Sequence, residues 1–141
     1  MTFPQIVLAA ASLLPFSGMV DHVSPTVTAL SSGTLTDLGG ANVGRVGIER
    51  QGGRAYVYVT DARMAAGATL ELLVSTSAEN LKAGDHLGPG KDALRAGLIG
   101  QAEVRYALPA SVEPGNLRSV WVWCRSVRLP SARARLTPSR P

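Results

Sequence analysis

The chain has 141 residues, which allow one domain with a real hydrophobic core and no second domain of ordinary size. Its apolar content of 45% argues against disorder along the whole length. The formal net charge of +4 comes mainly from twelve arginines. Six of these, from Arg118 to Arg140, alternate with small and apolar residues and lack a stacking platform of aromatic residues. We therefore predict a solvated basic face and no nucleic-acid interface.

An uncharged apolar run begins at Ile6 and ends at Phe16. It is too short to span a bilayer as a free helix, but its length suits the apolar core of a secretory signal. No basic residue precedes it and no A-x-A site follows it before Val20, so a buried N-terminal segment is the alternative. We predict that residues 1–22 are a signal or a membrane tether. The rest of the protein is then extracytoplasmic: secreted, periplasmic or membrane-attached.

The rest of the chain is predicted to hold one domain. Residues 23–32 are rich in Ser, Thr and Pro, which predicts a linker. The domain is predicted over residues 33–137, with a short tail at 138–141. Inside it, alternating patterns at 43–50 and 54–61 flank Gln51-Gly52-Gly53 and predict a β-hairpin.

Short strands dominate the remaining pattern. Residues 69–75 and 103–108 are predicted strands, and the Gly-rich stretch 78–100 is predicted to be a long loop with at most one short strand. Helical patterns are limited to about one turn each in 61–68 and 91–96. No βαβ rhythm and no repeat is visible. The fold prediction is a single all-β domain: an antiparallel β-sandwich of jelly-roll or Greek-key type, or an open barrel.

The strongest predicted strand covers residues 119–129, between a turn at 113–116 and Pro130. Because side chains alternate along a strand, Val120, Val122 and Cys124 are predicted on one face, with Trp121, Trp123 and Arg125 on the other. Cys124 is the only cysteine, so no internal disulfide can form. Near the end of such a strand, neighbouring arginines would lower the pKa of its thiol and favour redox chemistry. The alternative is a small buried hydrophobic residue.

Other kinds of site find little support. The two histidines, His22 and His86, are far apart, and no C-x-x-C or H-x-x-x-H motif exists, so no zinc or covalent haem site is recognisable. No cofactor is evident, although copper or haem iron held by Cys124 with His86 stays open. Residues 84–91 lack the Walker spacing, and no nucleophile elbow is present. The sequence therefore favours a protein that is not an enzyme.

From Gly33 to Leu136 the sequence resembles the DM-thirteen domain family of secreted and membrane-attached proteins. The resemblance is carried by the motif at Ser119–Cys124, by Tyr106-Ala107-Leu108-Pro109, which matches Y-x-L-P, and by the glycine and strand at 67–75. The chain departs from the family at Ala62, where Phe is usual, and at Gly67-Ala68, where Gly-Pro is usual. The resemblance implies a β-sandwich whose cysteine has been proposed to serve electron transfer.

Two functions follow as expectations. The first is a redox or electron-transfer accessory domain that acts through Cys124 on a partner protein or redox domain. Its supporting residues are Trp121, Trp123, Arg125 and Tyr106. The second is a non-catalytic binding or adhesion module in which Cys124 is structural and loops such as 78–90 make the contacts.

Overall fold

A computed structural model describes residues 26–64, 69–81, 87–90, 92–100 and 102–140. The apolar run from Ile6 to Phe16, both histidines and Gly67-Ala68 lie outside the described residues. The described chain forms nine strands: β1 Thr28–Asp37, β2 Asn42–Gln51, β3 Arg54–Thr60, β4 Leu70–Ser75, β5 Leu94–Ile99, β6 Val104–Ala107, β7 Ser119–Cys124, β8 Leu129–Arg135 and β9 Thr137–Pro138. A 3₁₀ turn at Pro114–Asn116 precedes β7.

All strand pairs are antiparallel and belong to one sheet, in the order β5-β4-β7-β8-β1-β2-β3-β6, with β9 beside β1. The two ends of this order approach each other, because the Tyr106 hydroxyl on β6 donates a hydrogen bond of 2.5 Å to the Leu98 carbonyl on β5. The sheet is thus curled into a nearly closed, sandwich-like barrel. The prediction of a single antiparallel all-β domain is confirmed.

The barrel interior is lined by alternate residues of the central strands, as the pleat of a strand requires. The following side chains are at most 1% exposed: Val46, Ile48, Val57, Val59, Leu72, Val74, Val120 and Val122. Burial of each contributes about 1.5–3 kcal/mol. Since these strands come from all parts of the domain, this core fixes the position of β7 among its neighbours.

The predicted hairpin is confirmed as β2 and β3. Gly52 and Gly53 have φ values of +59° and +82°, the left-handed region that a two-residue turn needs at both positions. The strands predicted at 69–75 and 103–108 are β4 and β6, and the short strand expected within 78–100 is β5.

The single strand predicted at 119–129 is wrong. Strand β7 ends at Cys124, and β8 begins at Leu129 after a turn closed by the Arg128 amide, which donates to the Cys124 carbonyl at 2.9 Å. Arg128 adopts φ +57°, which arginine rarely does, so composition does not mark this turn. Pro130 lies inside β8, where a register shift opposite Trp123 tolerates its missing N–H.

The domain boundaries also differ from the prediction. Strand β1 begins at Thr28, inside the segment predicted as a linker, and it pairs with β2, β8 and β9. At the other end, the Ser139 amide donates to the Leu30 carbonyl at 2.9 Å, so the start of the predicted tail is part of the sheet.

The predicted helical turn at 91–96 is also wrong for 94–96, which lie in β5.

Candidate functional site

Cys124 lies at the end of β7, opposite Leu70 of β4 on one side and Leu129 of β8 on the other. Its side chain is half-buried and packs against the edge of the core. The sulfur lies 3.3 Å from the hydroxyl of Ser126, which is in the turn that follows. The thiol is therefore neither sealed from solvent nor without a polar neighbour.

Hydrogen bonds hold the pKa of the Cys124 thiol below its ordinary value. The largest contribution comes from the Ser126 hydroxyl and the next from the backbone of Val127, since both stabilise the thiolate, while partial burial opposes them. The neighbouring arginines, which we expected to lower this pKa, do not contribute to the shift. Arg125 instead directs its guanidinium to Glu71, with Nη1 at 3.5 Å from Oε2.

The predicted alternation of β7 is confirmed for its buried part. Val120 and Val122 belong to the core, whereas Trp121 points to the outer face and is still fully buried. Its indole Nε1 donates a hydrogen bond of 2.9 Å to the hydroxyl of Ser119, and the guanidinium of Arg133 lies 5.9 Å from the centre of its ring. Such burial outside the barrel requires a second layer over β7.

Residues 76–81 and 87–90, here called the covering segment, form part of that layer over the outer face. Ser119 is fully buried and donates to the Ser77 carbonyl at 2.5 Å. Ser75 is also fully buried. Its hydroxyl donates a hydrogen bond of 3.3 Å to the Pro89 carbonyl and accepts one of 3.0 Å from the Ser77 amide. Two buried serines thus bind the covering segment to the outer face of β4 and β7.

The two described parts of the covering segment are also joined to each other. The Asn80 side chain donates to the Gly88 carbonyl at 2.9 Å. Gly88 packs on the ring of Trp123, and a Cβ atom at this position would lie only 2.8 Å from Cζ3 of the indole. A side chain at position 88 would therefore displace either the segment or the ring.

An open cleft of about 520 Å³ lies between the covering segment and the sheet. Its lining includes Leu73, Arg95 and Trp123 from the strands and Asn80, Leu87 and Pro89 from the covering segment. Most of this lining is apolar. The sequence prediction placed contacts in the 78–90 region but did not predict that its described parts, 78–81 and 87–90, lie over the outer face of the sheet beside Trp123.

One carboxylate serves two arginines at the edge of this outer face. Glu71 Oε2 lies 2.7 Å from Arg95 Nε and 3.5 Å from Arg125 Nη1. Because one negative charge faces two positive charges, this three-residue cluster carries a net positive charge. The clue in the sequence was weak: Glu71 and Arg95 alternate with apolar residues on β4 and β5.

Tyr106, the remaining predicted supporting residue, is not part of this site. Its ring covers Gly97 and its hydroxyl bonds to Leu98, both on β5, which β4 separates from β7. Tyr106 therefore joins the two ends of the sheet. The structure places Trp121, Trp123 and Arg125 on the outer face, while Cys124 belongs to the inner face at the barrel edge.

Within the described ranges, no three His, Cys, Asp or Glu side chains are grouped as a metal ion would need. His86, the predicted partner of Cys124 in a copper or haem site, lies outside those ranges. No helix of the described chain is long and apolar enough to cross a membrane.

Fold and site together define a single-domain antiparallel β protein with one half-buried thiol and one aromatic cleft on opposite faces of the same strand. Comparison with family models, with curated proteins and with solved structures gives no match. The resemblance to the DM-thirteen family rests on the motifs quoted above and stays a prediction.

Proposed function

We propose that the chain is a non-enzymatic, extracytoplasmic accessory domain whose Cys124 thiol undergoes thiol–disulfide exchange with a partner protein. The observation that carries this proposal is the half-buried Cys124 sulfur, hydrogen-bonded to Ser126 and with a pKa below its ordinary value. A thiolate that is available at lower pH attacks disulfides over a wider pH range. The resemblance to a family with a proposed redox cysteine is consistent with this role.

The exchange can be written for one cysteine. The Cys124 thiol loses its proton to water, and the thiolate attacks one sulfur of the partner's disulfide. A mixed disulfide forms, the partner's other sulfur leaves as a thiolate, and that thiolate takes up a proton. The Cys124 sulfur is oxidised by one formal electron and the leaving sulfur of the partner is reduced by one, so the step balances without a further oxidant. Because the chain has no second cysteine, another thiol has to resolve the mixed disulfide.

The proposal is tested by reacting the folded protein with a small aromatic disulfide between pH 5 and pH 10. We expect a mixed disulfide of the intact chain by mass spectrometry, with a rate that rises through a pKa lower than that of an unfolded control. A Cys124→Ser variant should give no adduct. A thiol that reacts only after denaturation would contradict the proposal.

A second candidate is a binding module in which Cys124 is structural. The observation that favours it is the cleft beside Trp123, held in shape by the buried serines of the sheet. Under this proposal, Cys124→Ser lowers thermal stability, because the thiol packs against the core, and leaves binding intact. Loss of disulfide exchange with a partner, in a variant that stays folded, would argue for the redox role instead.

A further inference from the structure

We propose that the cleft between Trp123 and the covering segment binds a small hydrophobic carboxylate, with Arg95 holding the carboxylate group. This site does not require Cys124 and goes beyond the redox proposal. It deepens the second candidate function by naming a ligand class.

Hydrogen bonds join the described walls of the cleft to the sheet and to each other. Ser75 and Ser119 attach the covering segment to β4 and β7, and the hydrogen bond from Asn80 to the Gly88 carbonyl joins its two described parts. Gly88 packs directly on one side of the Trp123 ring. A ligand that enters such a cleft loses less binding energy to ordering the protein than it would on a mobile loop.

The apolar part of the ligand is indicated by the lining. Leu73 and Ala93 contribute aliphatic surface, Trp123 contributes an aromatic surface, and Leu87 is 62% exposed at the rim. Covering an exposed leucine and an indole removes apolar surface from water, which favours binding. The volume of about 520 Å³ lies within the range of small-molecule sites.

The anionic part of the ligand is indicated by charge. Arg95 lines the cleft and is 52% exposed, and its bond to Glu71 uses Nε. Within the described ranges the Arg95 guanidinium is paired through Nε, so its terminal nitrogens can bind a second partner, and a carboxylate matches their fork geometry. Because Glu71 is also shared with Arg125, it does not balance both arginines. An apolar cleft with a positive rim selects an anion over a neutral molecule of the same shape.

The test compares octanoate with octanol, which have the same chain length and differ in the charged end group. Binding is followed by calorimetry and by amide chemical shifts of the intact chain. We expect octanoate to bind about tenfold more tightly than octanol, as a charge-assisted hydrogen bond implies. The shifts should map to residues 87–90, Trp123 and Arg95.

Variants separate the two parts of the site. Arg95→Met should remove the preference for octanoate and leave octanol binding unchanged, while Leu87→Ser should weaken both ligands. The matched control is Arg105→Met, because Arg105 is also ion-paired to a glutamate, Glu49 at 2.6 Å, but lies on β6 outside the cleft. It should alter neither ligand.

Several results would overturn the inference. These are equal affinity for octanoate and octanol, no binding at millimolar concentration, or shifts that map away from the cleft. Cys124→Ser should bind octanoate like the unmodified chain. Failure of the thiol proposal and failure of the cleft proposal are therefore seen in different experiments.

Discussion

Cys124 and Trp123 are neighbours in sequence, yet they face opposite sides of the sheet and have different surroundings. Period-two alternation was sufficient to predict this separation, because it depends only on the geometry of a strand. The partners of the thiol were not predictable in the same way. Ser126 reaches the sulfur only because the chain turns after Cys124, and Arg125 is drawn away by Glu71, which is distant in sequence.

At the residue scale, Ser126→Ala should raise the pKa of the Cys124 thiol, because it removes the largest of the hydrogen bonds that stabilise the thiolate. Reaction with a thiol reagent at neutral pH should slow several-fold, and the pH–rate profile should move to higher pH. Ser111→Ala, an exposed serine elsewhere, should leave the profile in place. An unchanged profile in Ser126→Ala would show that Ser126 does not set the reactivity of the thiol.

At the scale of elements, the hairpin between β7 and β8 shows where sequence interpretation stops. Residues 119–129 hold no glycine, proline or asparagine that would mark a turn, and β-branched and aromatic residues continue up to it. The chain turns because β7 and β8 each bury side chains of their own, which one continuous strand could not do. Strands β2 and β3, by contrast, were predictable, since Gly52-Gly53 between two alternating segments is typical of a two-residue hairpin turn.

The same turn gives a stability prediction. Arg128 has φ +57°, so Arg128→Gly should relieve unfavourable backbone geometry and stabilise the protein by about 0.5–1 kcal/mol. Arg125→Gly, in the same turn but without a positive φ, should be neutral or destabilising. Chemical denaturation of both variants measures the difference. If Arg128→Gly destabilises the protein more than Arg125→Gly, the left-handed conformation is not the source of strain.

At the scale of the whole molecule, the closure of the sheet depends on contacts that no local pattern encodes. The fold class followed from short alternating strands, but the order of strands places β3 beside β6 and β4 beside β7. Those pairings depend on which buried faces fit together. The structural role of Tyr106 was missed for the same reason, because its partners lie on β5, the strand before it in the chain but at the other end of the sheet.

Closure gives a third prediction. In Gly97→Ala the new Cβ would collide with the ring of Tyr106, so we expect a loss of about 1–3 kcal/mol and faster amide exchange in β5 and β6. The double variant Gly97→Ala/Tyr106→Leu should recover part of that loss, since a flexible side chain can move aside. If the two substitutions are strictly additive in unfolding free energy, the ring does not pack on Gly97.

The two tryptophans of β7 also differ in their exposure to solvent. Trp121 is fully buried, whereas Trp123 is only partly buried. A small quencher dissolved in the buffer therefore meets one ring and not the other. The fluorescence of Trp121 therefore reports unfolding of the domain, and the fluorescence of Trp123 reports binding in the cleft that it lines. One unlabelled sample reports both events.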